Sequence, residues 1–83
     1  MLRIKEDHFF EYEIRGYFAD MSECMRASAY GLEEAISTAQ VEWCDEQDSA
    51  TITEAETGRT AAEIDRYGRI YLAPNSGWEV ELA

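Results

Sequence analysis

Apolar and polar positions alternate from about residue 8 to residue 18. Phe10, Tyr12, Ile14 and Phe18 fall on one side of an extended chain, Glu11, Glu13, Arg15 and Tyr17 on the other. A period of two predicts a half-buried strand. Gly16 interrupts the apolar side and marks a bulge or a close backbone approach. Ala19-Asp20 reads as a turn. Residues 21–28 fit helix and strand equally poorly, and a short second strand is expected there. The period then changes: Leu32, Ala35, Ile36, Ala39 and Trp43 recur at three- and four-residue steps, the stripe of an amphipathic helix. Its expected span is about 29–46, with Ser28 as N-cap and Glu33 and Glu34 placed favourably in the early turns. Alternation resumes over 50–57. A turn at Thr57-Gly58-Arg59 leads into a strand over 60–66 with Ala62 and Ile64 inward and Glu63 and Asp65 outward. Tyr67-Gly68 turns the chain into a strand over 69–73 carrying Ile70 and Leu72. The cluster Pro74-Asn75-Ser76-Gly77 precedes a last strand in which Trp78, Val80 and Leu82 alternate with Glu79 and Glu81.

These elements predict an α+β fold in one domain, residues 1–83. An antiparallel β-sheet of four to six strands, connected as a meander, carries one amphipathic helix on one face. Phe10, Tyr12, Ile14, Ile64, Leu72, Trp78 and Val80 are expected to face a helix bearing Leu32, Ile36, Ala39 and Trp43. With 46% apolar and 12% aromatic residues, the chain is expected to fold despite its charge.

That charge changes the functional picture. Eighteen acidic residues oppose seven basic ones, for a net charge of −11. Glu11/Glu13, Glu54/Glu56, Glu63/Asp65 and Glu79/Glu81 are spaced two apart, which puts both carboxylates of each pair on one face of a strand. Outward strand positions are polar in any soluble protein, but Glu is depleted in strands, so the choice of acid asks for a reason. Two adjacent acidic strands approach the linear charge density of duplex DNA, with outward residues roughly 6.6–6.8 Å apart. A second cluster, Glu42, Asp45 and Glu46 with Asp48 just beyond, falls at the expected C-terminal turn of the helix. There like charges repel and the dipole disfavours anions. The readings of that cluster are a solvated helix end, a partner-binding surface or, least in keeping with its spacing, a calcium site. These twelve acids are the candidate partner-binding residues. The partner they suit has a basic, nucleic-acid-binding surface.

Other chemistry is poorly represented. His8 is the only histidine, the serines lie in no nucleophile motif, and there is no glycine-rich phosphate loop or basic patch. An enzyme, a cofactor, a metal site and direct nucleic-acid binding are therefore not expected. Cys24 and Cys44 read as two reduced thiols near the core, with a disulfide or a redox role as the alternative. The N-terminus lacks the apolar run of a signal peptide, and no window reaches the roughly 20 apolar residues of a membrane span, so a cytoplasmic location is expected. Lys5 is the only lysine, a bias that also suits a salt-loving or GC-rich source.

In length, in charge, in the pairs Glu11/Glu13, Glu54/Glu56, Glu63/Asp65 and Glu79/Glu81 and in the Glu42–Asp48 cluster, the chain resembles small acidic phage-encoded inhibitors of bacterial defence. These are the anti-CRISPR and anti-restriction proteins of the DNA-mimic class. The resemblance is one of class, without a shared motif, and carries no residue's role across. It implies a bacterial host's cytoplasm, a CRISPR effector or restriction complex as partner, and inhibition by blocking DNA access. The alternative is a small protein-binding module, such as an antitoxin or assembly factor. Its acids mainly keep it soluble, and its anchors are Tyr17, Tyr30, Tyr67 and Tyr71.

Overall fold

The computed structural model describes residues 2–4, 10–72 and 80–82, with side chains over 10–72. In chain order the elements are β1 (Leu2–Ile4), β2 (Glu11–Tyr17), β3 (Glu23–Tyr30), α1 (Leu32–Val41), β4 (Ser49–Glu54), β5 (Thr60–Asp65), β6 (Ile70–Leu72) and β7 (Val80–Leu82). Strands β2 to β6 form a five-stranded sheet in the order β3-β2-β4-β5-β6, every neighbouring pair antiparallel. Helix α1 packs mainly on β2 and β3. The α+β class, the antiparallel sheet and the single covering helix are as expected. β1, which sequence reasoning did not find, pairs antiparallel with β7 as a separate two-stranded ribbon. The connectivity departs from a plain meander. β2 and β3 form a hairpin, and α1 then carries the chain across β2 so that β4 docks on its other edge.

The period of two determines what is buried. Tyr12 and Ile14 of β2, Ala50 and Ile52 of β4, and Ala62 and Ile64 of β5 point to the helix side, where Leu32, Ala35, Ile36 and Ala39 close the core. Trp43, Ile70 and Leu72 pack against it half-buried. Phe10, expected in the core, is instead 50% exposed. It precedes β2, and its carbonyl accepts the Gly31 N–H (3.0 Å) at the margin of the sheet. The expected core positions Trp78 and Val80 lie outside the described side chains.

The helix is shorter than its periodicity suggests, at both ends. Ser28 is not a cap; it lies in β3 opposite Glu13. The cap position is taken by Gly31, whose φ of 85° and ψ of 141° suit glycine, and whose carbonyl accepts the Ala35 N–H. At the other end Glu42 is the C-cap, and Asp45-Glu46 form a separate turn with Glu46 at φ 64°. The expected stack of Glu42, Asp45 and Glu46 on one helical turn is therefore not formed. The chain leaves the helix at Glu42, so Glu42 alone of these acids stays at the negative end of the dipole.

Candidate partner-binding surface

Among the described residues no helix packs on the sheet face opposite α1, and the strand registers assign its rows. Across β3, β2, β4, β5 and β6 one row runs Arg26, Arg15, Thr51, Glu63, Tyr71. The next row toward the end of β2 runs Glu23, Tyr17, Ser49, Asp65. On the other side lie Ser28, Glu13 and Thr53, and then Tyr30 opposite Glu11. The Glu11/Glu13 and Glu63/Asp65 pairs do share this face. The strands that carry them are not adjacent: β4 runs between them and presents only Ser49, Thr51 and Thr53. Two strand spacings of about 4.8 Å separate the acidic lines, so the density expected of neighbouring acidic strands is not reached here.

Nor is the β2–β3 half uniformly negative. The Glu13 carboxylate accepts a hydrogen bond from Arg15 Nε and lies 4.0 Å from Arg26 Nε. Arg26 Nη2 donates to Glu23 Oε1 at 3.1 Å, and Arg15 Nε is 3.9 Å from the same carboxylate. Two acids and two bases thus alternate in a neutral quartet. The hydrogen bond and charge of Glu13 hold the Arg15 guanidinium firmly protonated.

Two other candidate acids have structural duties. Glu54 was expected to pair with Glu56 on a strand face. It ends β4 on the buried side, 7% exposed, while Glu56 lies in the following turn. The Glu54 carboxylate accepts from Thr57 Oγ1 at 2.6 Å and from Arg59 Nη2 at 3.0 Å, so it organises its own turn. Asp65 Oδ1 accepts the backbone N–H groups of Tyr67 and Arg69, and Oδ2 accepts the Tyr71 hydroxyl, each at 2.9 Å. Desolvation pushes its pKa up, but the bonds from Arg69, Tyr71 and Tyr67 outweigh that and hold it below the usual carboxylate range. Glu79 lies outside the described residues. Glu81 is placed by its backbone in β7, in register with Arg3.

The remaining acids are different. Glu42, Asp45 and Glu46 are exposed and Asp48 is half-exposed; none of them is held in an ion pair or a side-chain hydrogen bond. Asp48 acts at a distance on Arg66, whose pKa is raised first by its bond to Tyr67 and then by that charge. The loop that bears them is nevertheless well anchored. Gln47, 4% exposed, accepts the Cys44 N–H at 2.8 Å on Oε1 and donates from Nε2 to the Ser49 carbonyl at 3.0 Å. The Asp48 N–H donates to the Tyr17 carbonyl at 2.8 Å. Gly16 makes room for this anchor: a Cβ there would lie 2.3 Å from Gln47 Nε2 and 2.6 Å from Met25 Cγ. The bulge expected near Gly16 is present, since the β2–β3 register shifts between Gly16 and Tyr17, while the close approach is by the Gln47 and Met25 side chains rather than by backbone. Gln47 itself was missed; the gap in the apolar face at Gly16 was the signal that something polar enters there.

Exposed aromatic surface lies apart from these acids. Tyr30 is 67% and Tyr71 50% exposed on the open face, while Tyr67 is partly covered by Arg66, whose guanidinium carbon is 5.0 Å from the ring centroid. A shallow groove of about 270 Å³ runs between Tyr17, Met21, Thr51, Glu63 and Tyr71. Among the described residues no group of three or more His, Cys, Asp or Glu side chains is arranged to hold a metal ion, and no helix is long and apolar enough to cross a membrane. Comparison of the chain with family models, characterised proteins and solved structures finds no match.

Proposed function

We propose that this protein is a non-catalytic acidic binder that occupies the basic, nucleic-acid-binding surface of a protein complex and blocks DNA access, as anti-CRISPR and anti-restriction DNA mimics do. The observation that carries this reading is the loop from Glu42 to Asp48. It presents carboxylates outside any ion pair on a backbone held by buried Gln47, so the chain that carries the charges is in place before the partner arrives. Arg15, Arg26 and Arg59 are engaged with other acids; Arg66 is near enough to feel Asp48 but forms no ion pair with it. An ordered anionic loop attracts cationic surfaces at long range, and the attraction weakens as the screening length falls to about 8 Å at physiological salt.

The test is capture of proteins from bacterial lysate on the immobilised chain at low and high salt, followed by competition with duplex DNA. Captured proteins are expected to be DNA-binding and to be displaced by duplex. A captured protein that holds duplex and this chain together, without loss of affinity for either, rules the proposal out.

A second reading, a protein-binding module acting through apolar contacts, is favoured by the neutral quartet beside exposed Tyr30 and by the groove next to Tyr71. In that case Tyr30→Ala or Tyr71→Ala weakens capture and added salt does not.

A further inference from the structure

We propose that Cys24 and Cys44 form a dithiol site that closes to an intramolecular disulfide by exchange with a low-molecular-weight disulfide. This inference does not depend on the partner-binding reading.

The geometry comes from the β2–β3 bulge. Gly16 pairs with Met25 and Tyr17 pairs with Glu23, so Cys24 is the extra residue of β3. In a regular strand Cys24 and Met25 point to opposite faces; a bulge breaks that alternation and re-aims a side chain. Here it brings Cys24 to the loop that follows α1. The Cys44 thiol donates to the Cys24 carbonyl at 3.5 Å, and Cys44 lies near enough to the Cys24 thiol to raise its pKa. Both cysteines are free and partly exposed, so a small reagent reaches them. Cys44 is further positioned by its own N–H, which is held by Gln47. Residues 20 apart in sequence thus meet at a place where neither chain segment is free to wander.

Burial, with Cys44 alongside, pushes the Cys24 pKa up. In the proposed sequence Cys44 attacks first. Its thiolate displaces one thiolate from the small disulfide and forms a mixed disulfide; the departing thiolate takes up the proton that Cys44 released. The Cys24 sulfur then attacks Cys44 Sγ and expels the second thiolate, which takes the Cys24 proton. Two protein S–H bonds are exchanged for one S–S bond. The protein loses two electrons, and the small disulfide gains them as two thiols. The product ties the β3 bulge to the loop that bears Glu42, Asp45, Glu46 and Asp48. In a reducing compartment the pair stays open.

The experiment is to incubate the native chain with excess oxidised glutathione near pH 8, quench with acid, and measure intact mass, free thiols and oligomeric state. The expected product is a monomer lighter by two hydrogens, with both thiols lost. It should melt on the order of 10 °C above the reduced form and revert with dithiothreitol. Cys24→Ser is expected to stop as a glutathione adduct on Cys44, without the gain in melting temperature. Persistent glutathione adducts on the wild type, disulfide-linked dimers, or thiols that remain free in the folded protein would each overturn the proposal. The wild-type mass decides the matter even if the serine variant fails to fold.

Discussion

On the β2–β3 flank of the open face, Glu13 and Glu23 are interleaved with Arg15 and Arg26, and the patch is close to neutral. In the loop after α1, Glu42, Asp45, Glu46 and Asp48 stand in no ion pair, and Arg66 feels Asp48 only at a distance. Both stretches are acid-rich in the sequence. They differ because Glu13 has Arg15 two residues on along β2 and Arg26 diagonally across on β3, and Glu23 has the same two arginines within reach. The loop is anchored through backbone groups and one amide, which leaves its carboxylates in water. Charge count along a chain therefore says little about local potential until cross-strand neighbours are known. The distinction also separates acids kept by structure from acids open to a partner.

The sharpest way to break this comparison is to unseat the loop. Gly16→Ala places a methyl group where the Gln47 amide sits, displacing that amide from the Cys44 N–H and the Ser49 carbonyl. Overpacking plus an unsatisfied buried group should cost about 2–4 kcal/mol, read as a lower urea midpoint. An unchanged midpoint would mean that Gln47 is not the anchor and that the loop acids are not held in place. Next in size is Glu54→Gln, which keeps the shape but loses the charge at a buried carboxylate bonded to Thr57 and Arg59. The expected loss is about 1.5–3 kcal/mol, by the same measurement. A value near zero would return Glu54 to the set of free acids.

Glu46→Gly acts in the opposite direction. Glu46 occupies φ 64°, where glycine is unstrained, so the variant should gain about 0.5–1 kcal/mol while binding a basic partner more weakly. A loss of stability would show that the Glu46 side chain makes contacts that hold the turn. The smallest effect is expected at the quartet: Glu13→Gln should change stability by less than about 0.5 kcal/mol, because its pairs are solvent-accessible. Paired variants with equal charge change then sharpen the contrast. Asp45→Asn with Glu46→Gln should slow association with a DNA-binding partner severalfold, and Glu13→Gln with Glu23→Gln should do so less. Equal slowing by both pairs would mean that only total charge matters, and the loop would lose its special status.

Much of the fold was legible because burial imposes its period on the sequence. Tyr12 and Ile14 on β2, Ala62 and Ile64 on β5, and Leu32, Ile36 and Ala39 on α1 were identified by spacing alone, and each is buried. The ends of α1 were not legible. Trp43 continues the helical stripe, yet it packs against the core from beyond the helix, because Gln47 captures the Cys44 N–H and turns the chain. Composition and spacing also established the excess of acid and the outward positions of Glu11, Glu13 and Glu63. Only the tertiary structure decided which acids are spent. It set Arg15 and Arg26 beside Glu13, drew Glu54 inside toward Arg59, made Asp65 the cap of its turn, and let the bulge at Cys24 meet Cys44. A residue's own preference for water or apolar surroundings is written locally, in the period of the chain. Its partners are chosen by register and crossover, which depend on segments far away in sequence, and no local pattern records them.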